Sequence, residues 1–200
     1  IMASAAVGGL LSRPLVGWAL DSWGRKPTLL VGTVMMALSM QLILLVTSVG
    51  PTVVVMRFMF GIAAGALFTG YYAFAADLIP ESRRTEGIAL FGISGLVPLA
   101  INPVMGQLGF GADELRWFFS LLGGVIFCSC FFLRSVPEPP FSAKRNNLNW
   151  SLVGRGLVEP KLWSVWLAAL VFAGLVSMYM AFATVTAHSR GVENPAFLWM

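Results

Sequence analysis

Residues 17–26 read Gly-Trp-Ala-Leu-Asp-Ser-Trp-Gly-Arg-Lys, and they join two long apolar blocks. The block before them, 1–20, carries one charge, Arg13, and the block after them, 28–48, carries none. A helix rises about 1.5 Å per residue, so about 20 apolar residues cross the hydrocarbon core of a bilayer. Residues 21–27 are therefore predicted to be a short loop between two transmembrane helices, with Gly17 in the last turn of the first.

The composition of the whole chain agrees with a membrane protein. Hydrophobic residues make up 58% of the 200 residues and charged residues 11%, against about 25% charged in typical soluble domains. The net charge of +4 raises the question of nucleic-acid binding. The basic residues lie in short runs between apolar blocks, not on one face or along one helix, and this distribution excludes a nucleic-acid interface.

After the block 28–48, four further blocks have the length and composition of membrane spans, and a last one begins at 194. These blocks are 52–76, 87–112, 115–133, 162–187 and 194–200. We predict an all-α polytopic helix bundle with about six full spans. Residues 1–133 are expected to form one bundle, 134–161 a polar linker rich in proline at its start, and 162–200 the beginning of a second bundle.

Lysine and arginine are unevenly distributed between the two sets of loops. The loops after the first, third and fifth predicted spans carry Arg25, Lys26, Arg83, Arg84, Arg134, Lys144, Arg145, Arg155 and Lys161, and the opposite side carries Arg116 and Arg190. Cytoplasmic loops of membrane proteins are enriched in these residues. We therefore predict that 21–27, 77–86 and 134–161 face the cytoplasm from a cell (inner or plasma) membrane.

Three residues of the first loop have a physical reason to be there. Gly17 is expected to let another helix approach closely, and Gly24 to permit a tight reversal of the chain. Asp21 is the only acid in a basic turn, so we expect it to be paired. A basic turn at a cytoplasmic helix end, solvated and without a specific function, is the alternative interpretation.

The same loop resembles the signature between the second and third helices of the major facilitator superfamily. That signature is a glycine, an aspartate four residues later, a second glycine three residues after it, and two basic residues; Gly17, Asp21, Gly24, Arg25 and Lys26 match it. Ser22 departs, since a basic residue usually follows the aspartate. The resemblance implies a cytoplasmic charge latch of Asp21 and Arg25 with an acid that ends the fourth family helix, here Asp77.

Arg57 lies within the span 52–76, about five residues from its start. An arginine inside a membrane normally faces a polar cavity or a partner, although from this position it can also extend to the outer surface. Arg57, Gly61 and Gly65 resemble the fourth-helix motif of the family, in which the arginine is implicated in proton coupling. Phe60 stands where that motif often has glutamine. The two glycines are expected to form a face for helix packing.

The fourth block contains a weaker resemblance. Gly95, Asn102, Pro103 and Gly106 partly match the family's fifth-helix antiporter motif, but Asn102 and Gln107 replace two of its glycines. This motif favours an exporter. A proline-containing helix with polar packing is the alternative. The polar residues Gln41, Tyr72, Gln107 and Tyr179 are candidates for lining a cavity, and each can equally be satisfied by a neighbouring helix.

The resemblance extends from the family's second helix to its seventh and a few residues of its eighth. It implies a secondary carrier that works by alternating access, with a small organic solute as substrate and protons as coupling ion, and we expect a monomer. Import or uniport of sugars or other metabolites is the first alternative, and a membrane sensor or membrane enzyme is the second. No metal-binding set, nucleophile pair or phosphate loop occurs in the sequence, so no cofactor or catalytic residue is predicted.

Overall fold

The computed structural model describes residues 2–46, 48, 50–107, 111–138 and 159–190, and the regular structure in these ranges is helical throughout. The six α-helices are α1 (Met2–Ser22), α2 (Arg25–Gln41), α3 (Pro51–Leu78), α4 (Arg84–Gln107), α5 (Ala112–Ser135) and α6 (Trp163–Ser189). Single 3₁₀ turns cover Leu42–Leu45, Glu81–Arg83 and Pro160–Leu162. The predicted all-α fold class is confirmed.

Proline determines where several of these helices begin and end. Pro51 occupies the first turn of α3, where a backbone N–H would have no partner inside the helix. A residue that precedes proline is disfavoured in the helical conformation. Ile79, before Pro80, has φ −80 and ψ 131 and ends α3, and Val136, before Pro137, ends α5 with φ −76 and ψ 131.

Four helical segments of the described residues are long and apolar enough to cross a membrane: Arg25–Leu45, Pro51–Leu78, Glu114–Ser135 and Pro160–Tyr179. The predicted spans 1–20 and 87–112 coincide with α1 and α4 but are not among these four. In α1 the charges of Arg13 and Asp21 lower the apolar character of the helix. The predicted span 28–48 corresponds to the segment Arg25–Leu45, in which α2 ends at Gln41 and a 3₁₀ turn continues to Leu45.

The chain divides into two compact units, which are 1–91 with 110–148, and 92–109 with 149–200. This division does not coincide with the predicted boundary between 133 and 134, which stays a prediction. In the first unit α1 and α2 both pack against α3, and α2 also packs against α5. Its buried apolar clusters are small, with Val16, Leu20 and Ala66 in one, and Leu29, Phe74 and Leu133 in the other.

Within the first unit α2 and α5 are antiparallel and in a fixed register. At one end the Gln41 amide donates to the Ser120 carbonyl (2.9 Å) and accepts from the Ser120 hydroxyl (2.6 Å). At the same end a guanidinium nitrogen of Arg116 donates to the Val46 carbonyl at 2.9 Å. Since Val46 follows the last turn after α2, Arg116 satisfies a carbonyl that has no partner within the helix.

The second unit contains the later part of α4, from Gly92, and α6 with the 3₁₀ turn before it. All described side chains of α6 from Trp163 to Tyr179 are exposed. The helix is apolar on every side, which is typical of a membrane span. The start of the further span predicted at 194–200, and most of the predicted linker, lie outside the described residues.

Candidate functional site

The turn between α1 and α2 is built around Gly24. This residue is the N-cap of α2 and has φ +107, a backbone conformation that residues with a side chain rarely adopt. A Cβ here would also lie 2.5 Å from Oε1 of Glu138. The chain therefore reverses tightly at Gly24, and this reversal places the side chain of Arg25 at the first position of α2, next to the end of α1.

Arg25 connects the ends of three helices. Its Nε donates to Oδ2 of Asp77, in the last turn of α3, at 2.8 Å. A terminal nitrogen donates to Oδ1 of Asp21 at 3.2 Å and to the carbonyl of Leu20 at 2.6 Å, both in the last turn of α1. The structure thus brings together the three residues that the sequence proposed as a latch. The guanidinium donates to three acceptors at once. The ammonium group of a lysine would hold three acceptors in a less fixed geometry.

The latch lies close to water. The side chain of Arg25 is 21% exposed, that of Asp77 38% and that of Asp21 71%. Ion pairs with this exposure are screened and contribute only about 0–1 kcal/mol each to stability. The arrangement is therefore poorly suited to holding the fold together and better suited to biasing an equilibrium between conformations that differ by a similar amount.

Lys26 ties the same loop to the end of α5. Its ammonium donates to the carbonyls of Arg134 (2.7 Å) and Val136 (2.8 Å), which terminate that helix and have no partner within it. Its backbone N–H donates to Oε1 of Glu138 at 3.3 Å. The role of Glu138 was not anticipated from the sequence, because it lies 112 positions from Lys26 in a proline-rich segment that gives no local pattern.

The position of Gly17 on α1 is open in the described structure. A Cβ at Gly17 would meet no atom within 4 Å in the described part of the chain. The close helix approach expected at Gly17 is therefore not seen among the described residues, and it stays a prediction. The close approach takes place two to three turns earlier, at Ala5, Gly8 and Gly9.

Gly61 and Gly65 pack against those residues of α1. A Cβ on Gly61 would overlap the carbonyl of Ala5 and lie 2.8 Å from its Cα, and a Cβ on Gly65 would lie 3.4 Å from the carbonyl oxygen of Gly9. The two parallel helices are therefore in direct backbone contact, as small residues in membrane helices allow. The α3 side of this contact was predictable from the sequence, whereas its partner residues in α1 were not.

Arg57 lies one helical turn before Gly61, on the same side of α3. Its side chain is partly buried, and its Nε is fully buried without a hydrogen-bond partner among the described residues. An unsatisfied buried donor costs about 1–3 kcal/mol. The buried Nε is thus available to donate to a polar or anionic group, and extension of the guanidinium to the membrane surface is the alternative.

Among the candidates for cavity lining, Gln41 has both ends of its amide bonded to Ser120, which agrees with the alternative that a neighbouring helix satisfies it. Tyr72 stacks edge-on against Phe91, with ring centroids 5.3 Å apart, and contacts Phe68 with centroids 5.0 Å apart. Tyr179, in the second unit, is 54% exposed on α6. None of these contacts identifies a substrate pocket.

The fifth-helix motif lies within α4, in the range Arg84–Gln107. A Cβ on Gly95 would meet no atom within 4 Å in the described residues. The side chains of Asn102, Pro103 and Gln107, and the surroundings of Gly106, lie outside the described part of the structure. The function assigned to this motif by resemblance stays a prediction.

The comparison with known proteins identifies the family. A sequence model of the Major Facilitator Superfamily matches residues 1–200. The chain belongs to the Major Facilitator Superfamily. Members of this superfamily are multi-pass membrane proteins, in agreement with the helices described above, so the chain is an integral membrane protein of a transporter family.

Curated members of the superfamily are similar to most of this chain. The Multidrug resistance protein MdtL of Salmonella paratyphi A is 28% identical over 164 residues, and MdtL of Salmonella typhi is 31% identical over the same length. Each alignment covers 80% of this chain and 41% of the relative. The chain thus spans less than half the length of the curated relatives it matches.

A solved structure has the same fold. The crystal structure of a D-xylose-proton symporter superposes with a TM-score of 0.61 over 98% of this chain and 52% of the symporter, at 18% sequence identity. The likeness at this identity concerns the fold alone. It confirms the major-facilitator type of helix arrangement that the sequence predicted.

Proposed function

We propose that the chain is part of a secondary active transporter that exports small organic solutes by alternating access, with protons as the coupling ion. The observation that carries the proposal is the set of contacts of Arg25 with Asp21 and Asp77. These contacts join the end of α1, the start of α2 and the end of α3 on one side of the predicted membrane. Such a junction can close one side of a transport pathway and open again at low cost.

The direction of transport is inferred from the relatives. MdtL is named a multidrug resistance protein, and the partial fifth-helix motif with Pro103 and Gly106 also favours export. The alternative is a sugar or metabolite importer or a uniporter, because Asn102 and Gln107 replace two glycines of that motif. A membrane sensor or enzyme is the remaining alternative, and the family is one of transporters.

Proton coupling is inferred from Arg57. Its buried Nε has no hydrogen-bond partner among the described residues, so a nearby carboxylate or a bound solute would be stabilised strongly by it. Protonation of such a carboxylate weakens its attraction to Arg57 and leaves the guanidinium available to the solute. Proton binding and solute binding are thereby coupled.

The test is gradient-driven transport by the full-length protein in everted membrane vesicles. With an acidic lumen, we expect the fluorescent organic cation ethidium to accumulate, and a protonophore to abolish the accumulation. Vesicles lacking the protein provide the control. Proton-driven loss of D-xylose from preloaded vesicles without accumulation of ethidium, or equilibration of either solute without response to the proton gradient, would contradict proton-coupled export.

A further inference from the structure

A groove runs along the first unit between α2 and α5. Its volume is about 560 Å³, and its walls include Val31, Val34 and Leu38 from α2 and Phe127, Phe131 and Arg134 from α5. Pockets that bind small molecules have volumes of about 300–1,000 Å³. The groove is thus large enough for a ligand, and all but one of these residues are apolar.

The walls of the groove are unlike a helix-packing face. Where α1 and α3 meet, glycines allow backbone contact, which is the usual arrangement between membrane helices. The groove instead presents bulky, exposed side chains, with Val31 57%, Leu38 54% and Phe131 64% accessible. In a membrane these side chains face hydrocarbon, and together they line an open groove on the surface of the α2–α5 pair.

Arg134 is the charged residue at one end of the groove. It lies in the last turn of α5, and its side chain is exposed. Its guanidinium makes no hydrogen bond or ion pair with any described residue. The neighbouring cation, Lys26, already donates to two carbonyls, and Glu138 accepts from the Lys26 backbone. Arg134 is therefore left with its donors available.

The length and position of the groove fit half of a bilayer. From Leu30 to Leu38 the helix rises roughly 12 Å, and one leaflet contributes about half of the roughly 30 Å hydrocarbon core. The two helices are antiparallel, with Lys26 next to the Arg134 carbonyl and Ala37 next to Gly123, so the Leu30 end of the groove is the end nearer Arg134. The charge therefore sits at the helix ends, where lipid headgroups lie, and the apolar part extends toward the bilayer centre.

We propose that this groove binds one anionic phospholipid, with an acyl chain along α2 and α5 and the phosphate on Arg134. A guanidinium donates to phosphate oxygens in a bidentate manner, and basic sites at membrane helix ends recognise anionic headgroups. The lipid would contact α2 directly beside the turn that holds Arg25 and Lys26. The proposal rests on family membership and the geometry of the groove, and it is independent of the direction of transport.

Native mass spectrometry of the full-length protein in detergent tests the proposal. Dioleoylphosphatidylglycerol or dioleoylphosphatidylcholine is added, and retained lipid is counted. We expect the wild type to retain one phosphatidylglycerol in preference to phosphatidylcholine. Arg134→Gln should weaken this retention about fivefold, which corresponds to about 1 kcal/mol per basic residue at an anionic surface. Arg83→Gln, the same charge change at an exposed position away from the groove, should retain the lipid as the wild type does.

Further measurements test whether a phospholipid, a free phosphate compound or a second copy of the chain occupies the groove. Val34→Trp fills the middle of the groove and should reduce retention although Arg134 is intact, whereas glycerol 3-phosphate should not displace the lipid. Equal retention of both lipids by wild type and Arg134→Gln, or displacement by glycerol 3-phosphate, would overturn the proposal. So would a disulfide-linked dimer of Val31→Cys, because a second copy of the chain would then occupy the groove.

Discussion

A single residue, Arg25, accounts for most of the polar contacts at the proposed latch. Its partners come from α1 and α3, and the positive φ of Gly24 orients it toward both. The contacts of Arg25 with Asp21 and Asp77 were predictable, because the family resemblance pairs the first loop with an acid at the end of α3. The carbonyl of Leu20 and the carboxylate of Glu138 were not, because backbone acceptors and long-range linker contacts leave no pattern in a sequence.

Arg57 is the residue whose substitution should affect energy coupling most. We expect Arg57→Ala in the full-length protein to abolish accumulation of solute against a gradient while the protein still inserts, because the buried donor that couples solute to proton is removed. Arg57→Lys keeps the charge but loses the planar fork and should accumulate solute partially. The measurement is steady-state accumulation in everted vesicles at equal expression.

Arg13 provides the matched control for this prediction. It is also an arginine within a predicted span, but its side chain is exposed on α1. Arg13→Ala should accumulate solute like the wild type. Full accumulation by Arg57→Ala would mean that Arg57 only extends to the membrane surface.

At the scale of elements, hydropathy located the helices well but not their ends. Apolar blocks mark the part of a helix inside the hydrocarbon, whereas the ends depend on caps and prolines. Accordingly α2 begins at Arg25, three residues before its predicted span, and α5 continues to Ser135 until Val136-Pro137 stops it. The change from α-helix to a 3₁₀ turn after Gln41 was not predictable from hydropathy, because Leu42–Leu45 is as apolar as the helix before it.

The contact between α1 and α3 gives the clearest prediction at this scale. A methyl group on Gly61 would overlap the backbone of Ala5, whereas one on Gly17 would meet open space. We expect Gly61→Ala to lower the free energy of unfolding by about 1–3 kcal/mol, as overpacking typically does, and thus to lower the melting temperature in detergent.

Gly17→Ala is the matched substitution on the partner helix. Alanine is intrinsically better in a helix than glycine by up to about 1 kcal/mol, and nothing opposes this gain at Gly17 in the described structure. We expect this variant to melt at or slightly above the wild-type temperature. Identical melting of the two variants would contradict the assignment of Gly61 to a tight helix contact.

At the scale of the whole molecule, the proposed transport depends on the equilibrium between two conformations. Interconverting states of a transporter differ by a few kcal/mol, and about 1.4 kcal/mol changes their ratio tenfold. Ion pairs as exposed as those of Arg25 with Asp21 and Asp77 are too weak to determine the fold, yet strong enough to shift such a ratio. Their loss should therefore slow transport while leaving melting nearly unchanged.

The most direct measurement is a double-mutant cycle on the initial transport rate of the full-length protein, with Arg25→Asp, Asp77→Arg and both together. We predict that each single change slows transport and that the double variant is faster than the two effects combined would give. Recovery should be partial, because Asp21 then faces a like charge. The same exchange at Arg83 and Glu86, a more exposed pair at 3.9 Å, should be additive. Strict additivity at Arg25 and Asp77 as well would contradict the proposal that these residues form a latch.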